Sequence, residues 1–112
     1  MIHTMKLQPV PFEKIASGKK VIESRLLDEK RQLVSIGDEI RISRADMLEE
    51  TVIVRVTDLY RNSSFEELFS RFSPDLFGGS SREFLLEEVG MFYPKEEQEK
   101  HGVVGIRMEV LK

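Results

Sequence analysis

The chain has no cysteine, two histidines and four prolines among 112 residues. Without cysteine there is no disulfide framework and no thiolate metal site. The two histidines, His3 and His101, lie far apart, with no His-x-x-x-His or carboxylate-rich motif beside them. No metal site or cofactor is therefore expected. The glycines form no Walker loop, no Rossmann fingerprint and no Gly-x-Ser-x-Gly elbow. No apolar run approaches the roughly 18 residues of a membrane span, and MIHTMKLQPV lacks the apolar core of a signal peptide. A soluble, cytoplasmic protein without a membrane partner is expected. Positive charge is not in excess either: the formal net charge is −3. That argues against a broad basic face for duplex DNA, while leaving room for a small basic cleft.

What is present reads as one α+β domain over residues 1–112. His3 to Leu7 is a strand candidate, and Phe12 to Ser17 a short helix that Gly18 can end. Lys20 to Leu26 alternates, with Ile22, Ser24 and Leu26 on one face and Val21, Glu23 and Arg25 on the other. Gly37-Asp38 signals a turn into EIRISR, and Thr51 to Tyr60 is rich in β-branched residues. Ser64 to Phe72 carries a helical stripe of Phe65, Leu68, Phe69 and Phe72, with Ser64 and Glu67 at capping-box spacing. Ser80 to Tyr93 repeats the device with Ser80, Glu83, Phe84, Leu85 and Val89. Pro94 to His101 is a charged helical segment, and Val103 to Leu111 closes the chain as a strand. Strands in succession with helices gathered late favour α+β, and a small bent sheet or partly closed barrel would remove edges.

Three places invite a functional reading. The first is Gly18 to Leu26. Glu23 and Arg25 share a strand face, and the long stem of Lys20 can swing round the strand's start. The plain reading is a solvated face with a surface salt bridge. The alternative is a cleft wall, two cations against one anion, suited to an anionic or oxygen-rich ligand. The second is FGGSSRE, where free N–H groups at a helix start near Ser80 or Ser81, with Arg82 beside them, could take a phosphate; an ordinary capped loop is the preferred explanation. The third is the pair Tyr60 and Tyr93, each at an element boundary, where one could line a cleft. The Phe stripe reads as core. Arg41, Arg44 and Arg55 could extend a basic rim, but solvated strand faces account for them.

Gly18, Lys20, Glu23 and Arg25 spell Gly-x-Lys-x-x-Glu-x-Arg. With the short helix before it, Gly37-Asp38 after it, Tyr93-Pro94 and the closing Gly102 to Ile106 strand, this pattern resembles the ASCH domain (activating signal cointegrator homology), as in stand-alone bacterial proteins. The resemblance spans essentially the whole chain. It implies a β-barrel similar to PUA and EVE domains with helices packed around it. It also implies a cleft lined by the motif that takes RNA or a nucleotide-sized ligand such as a modified nucleobase. One bacterial branch of the family hydrolyses N4-acetylcytidine with a lysine nucleophile, a threonine and a distal glutamate. Lys20 matches that lysine. Glu23 stands where the threonine would be, the distal position falls near Gly78-Gly79, and Glu83 is the closest acid. The expectation is a binding module, with a small hydrolase acting on modified nucleosides or RNA as the alternative, in which Lys20 and Glu23 would be catalytic.

Overall fold

The computed structural model describes residues 1–111. Five strands form one bent sheet, half of a barrel: β1 (Ile2–Leu7), β2 (Ile22–Leu26), β3 (Glu39–Arg44), β4 (Met47–Asn62) and β5 (Val103–Val110). Their order is β1-β3-β4-β5-β2, parallel between β1 and β3 and antiparallel elsewhere. The first two strands of the chain are therefore the two edges of the sheet. Among the described residues no helix is long and apolar enough to cross a membrane.

The sheet follows the residue pattern. In β3, buried Ile40 and Ile42 alternate with less buried neighbours, and in β4 Val52, Val54 and Val56 do the same. β4 begins at Met47, earlier than the expected Thr51, and a bulge near Val56 and Asp58 shifts its register on β5. Its first residues, Met47 to Thr51, are exposed, so no burial pattern marks them as strand.

Helix α1 (Pro9–Ala16) starts at Pro9 rather than at Phe12. The prolines that read as punctuation sit in its first turn, where a missing N–H costs no helical bond. Phe12 and Ile15 are its buried residues. A short α2 (Glu29–Gln32), capped by Asp28 on the Arg31 amide, carries no buried residue and left no periodic signal. Helix α3 (Phe65–Phe69) is capped by Ser64 on the Glu67 amide at 3.1 Å. The reciprocal contact goes to Ser63 rather than Ser64, whose neighbour's amide and hydroxyl both donate to Glu67. Helix α4 (Arg82–Gly90) is capped by Ser81, not Ser80, through the Phe84 amide. Phe84 is partly exposed, whereas Leu85 is buried. A tight helical turn, Pro74–Phe77, lies between α3 and α4, and α5 (Lys95–His101) precedes β5.

Two apolar clusters flank the sheet. One joins α1 to the inner faces of β1, β3, β4 and β5; the other gathers Phe65, Leu68, Phe69, Phe77 and Leu85 against Ile22 and Val103. β5 is buried on both faces, which is why its sequence is nearly continuously apolar. Gly105 lets α3 approach: a Cβ there would lie 3.0 Å from a methyl of Leu68 and 3.1 Å from one of Ile22.

Candidate functional site

Glu23 is the one buried charged residue of the described chain, at 5 % exposure. Strand pairing of β2 with β5, Glu23 opposite Ile106, fixes its backbone in the sheet. An ionised carboxylate at this depth requires partners. Lys20 Nζ lies 2.7 Å from Glu23 Oε1, and Arg25 Nε donates to Glu23 Oε2 at 2.8 Å. Burial alone would raise the Glu23 pKa. The attraction and hydrogen bonds of Lys20 and Arg25 outweigh it and hold the carboxyl below its ordinary value. Burial likewise works against the Arg25 charge, and Glu23 more than restores it.

The surrounding chain holds this trio in place. Lys20 precedes β2, and its stem does swing round the strand's start. Its amide donates to the Lys14 carbonyl, and the next amide, of Val21, donates to Leu76. Lys14 Nζ donates in turn to the Gly78 carbonyl at 2.7 Å. Gly78, at φ 82°, lies flat against the Lys20 stem: a Cβ there would come within 2.9 Å of Lys20 Cδ. Arg25 spans the two sheet edges, donating from Nη2 to the Lys6 carbonyl of β1 at 3.1 Å. Arg31 of α2 stands near enough for burial and the Arg25 charge to lower its pKa.

The trio forms the polar wall of a cavity of about 370 Å³. Apolar side chains share the lining with it: Phe69, Phe77, Leu85 and Val89, with Tyr93. Lys6 and Gln8 from β1 and the start of α1, and Glu88, Met91 and Phe92 from α4 and the turn after it, complete the lining. The cavity thus opens between the two sheet edges, with the α4 region as its third side. Met91 and Phe92 are exposed at 74 % and 62 %.

Of the residues singled out from sequence, Lys20, Glu23, Arg25 and Tyr93 come together here. Tyr60 does not. Its ring packs on Phe72 at 4.6 Å, and its hydroxyl accepts from Arg107. Ser80 is exposed, Ser81 is occupied as a helix cap, and Arg82 turns to the carbonyl and carboxylate of Glu66. The Gly78 and Gly79 amides donate to the Asp75 and Pro74 carbonyls. Glu83 is exposed and outside the lining. Arg44 and Arg55 pair with acids on their own strand surfaces. Among the described residues no group of three or more His, Asp or Glu could hold a metal. Lys6, Leu85, Glu88 and Phe92 were not anticipated at the cavity. Only Leu85 carries a signal, apolar periodicity, which reports burial but not which cavity a residue faces; Lys6, Glu88 and Phe92 are exposed and carry none.

Comparison with known proteins bears on the fold and the family. The ASCH domain model matches residues 5–112. The crystal structure of the hypothetical protein PH0355 is 34 % identical, covers 99 % of this chain and 100 % of its own, and superposes with a TM-score of 0.88. The solution structure of PF0455 from Pyrococcus furiosus is 33 % identical, with coverages of 100 % and 99 % and a TM-score of 0.79. A mutant of the ASCH protein from Zymomonas mobilis shares the fold at 16 % identity and a TM-score of 0.67, with 97 % of this chain matched to 70 % of that one. No curated protein matches the chain. The family model spans nearly the full sequence and the same half-barrel recurs in these structures: the chain belongs to the ASCH domain family.

Proposed function

We propose that the chain binds single-stranded RNA, or a nucleotide-sized ligand, by taking a base into the cavity beside Lys20, Glu23 and Arg25. The observation that carries this reading is a buried, hydrogen-bonded trio of net positive charge that lines one cavity of about 370 Å³ together with aromatic and aliphatic side chains. A nucleobase matches both kinds of lining, with apolar faces and a polar edge. Single strands suit the site better than duplexes. Their bases can leave the stack, whereas a chain of net charge −3 has no broad surface for two phosphate backbones. The trio favours binding over acid–base chemistry, because a carboxylate stabilised in its ionised form is a weak proton acceptor.

The test must respect the burial of Glu23. Removing Lys20 and Arg25 alone would leave a buried carboxylate without a cation and unfold the site. The variant Lys20→Met with Glu23→Gln removes one charge of each sign and leaves Arg25 facing a neutral amide. Arg25 keeps the Lys6 carbonyl and can donate to the oxygen of that amide, so the variant should be less stable than wild type yet folded, as circular dichroism checks. It should bind a mixed-sequence single-stranded RNA at least about 10-fold more weakly by fluorescence anisotropy, having lost a charged donor. Unchanged affinity in the folded variant defeats the reading. RNA or N4-acetylcytidine turned over by wild type, and not by this variant, would make the site catalytic instead.

A further inference from the structure

The deep wall of the cavity offers a ligand hydrogen-bond donors in excess. Glu23 is its only acid, and each carboxylate oxygen already receives a cationic donor, at 2.7 Å and 2.8 Å. Such charge-assisted bonds are about twice as strong as neutral ones. An amine of a ligand would have to share an oxygen so engaged. The cations are in the opposite position. An ammonium has three N–H groups and a guanidinium five. Lys20 directs one to Glu23, and Arg25 directs one to Glu23 and one to the Lys6 carbonyl. Both side chains are largely buried, at 11 % and 17 % exposure, so their remaining donors look to whatever fills the cavity. Glu88, the other acid of the lining, and Gln8 are exposed. The hydroxyls of Ser24 and Tyr93 donate or accept equally well and do not discriminate.

The apolar wall decides which acceptor fits. A phosphate has no apolar face, and seating it against Phe77 and Leu85 would strip water without replacing it. A carbonyl oxygen on a planar ring brings a neutral acceptor on an apolar body. We propose that the cavity selects bases with a keto edge, the 6-oxopurines and 4-oxopyrimidines, over their amino counterparts. This rests on the reading above that a base enters the cavity. An amino edge would set donor against donor and leave buried N–H groups unpaired, the situation in which a site rejects a near-isostere most strongly.

Four labelled RNA hexamers that differ only at one central position test it: inosine against adenosine, and uridine against cytidine. Inosine and uridine should bind about 10-fold more tightly than their amino partners, as expected for one well-matched base edge. The preference should shrink in the Lys20→Met, Glu23→Gln variant. Equal binding of all four, still weakened in that variant, overturns edge selection and leaves base binding standing. Displacement of all four by inorganic phosphate, with no preference among them, overturns it in favour of a plain anion site. Binding of none overturns both readings.

Discussion

Among individual residues, Glu23 has the largest consequence. Its pKa is lower in the folded protein than its ordinary value of 4.5. Its contribution to stability is therefore present above pH 4.5 and is lost as pH falls through the lower folded value. Glu23→Gln should cost about 3 to 5 kcal/mol at pH 7, because Lys20 and Arg25 are left buried without their counter-charge. The gap to wild type should narrow at pH 3. Urea unfolding at both pH values checks this, and a gap independent of pH would disconnect Glu23 from acid stability. Gly78→Ala should cost about 1 to 2 kcal/mol for the left-handed backbone alone. It should also weaken ligand binding, because its Cβ displaces Lys20; calorimetry and anisotropy read the two effects separately. The motif made Lys20, Glu23 and Arg25 legible in sequence. The FGGSSRE stretch announced only a capped loop or a helix start for a phosphate. That Gly78 lies against Lys20 is a tertiary fact that no local pattern carries.

Among the elements, α4 shows what a cap contributes. Ser80 and Ser81 are equally fit for the role, and Ser81 takes it, at the head of a helix that leaves Phe84 exposed and buries Leu85. Ser81→Ala should destabilise the fold by about 1 kcal/mol, seen as a lowered denaturation midpoint. Ser80→Ala should leave that midpoint unchanged. The strands and the amphipathic helices were readable because burial writes itself as alternation or as a stripe. The start of α1 was not, because proline in a first turn and proline in a loop look alike in sequence. Nor were α2 and the Pro74–Phe77 turn, each four residues long, too short for a period to register. Tyr60 and Tyr93 illustrate the same limit. Both sit at element boundaries, both are half-buried and each packs on a phenylalanine, and only the tertiary arrangement puts Tyr93 and not Tyr60 in the cavity lining.

At the scale of the molecule, the net charge is −3, and the cavity lining carries Lys6, Lys20 and Arg25 against Glu23 and Glu88. RNA binding should accordingly respond weakly to salt. With at most two phosphates neutralised, the slope of log affinity on log salt should be no steeper than about −1.5. A salt titration by anisotropy measures it, and a much steeper slope would indicate an extended backbone track. The α+β class was legible from the order of strands and helices, and the ASCH resemblance implied both the barrel and a cleft along the motif. What closes that cleft was not legible, because it depends on β1 and β2 ending up as the two margins of one sheet. Where those margins meet, Arg25 reaches the Lys6 carbonyl in place of a continuous ladder. A guest lodged there touches both sides of the gap and acts as a removable stave. Occupancy should thus be felt as a clasp on the whole half-barrel, slowing proteolysis and amide exchange in β1, the strand farthest along the sheet from the lysine that greets it.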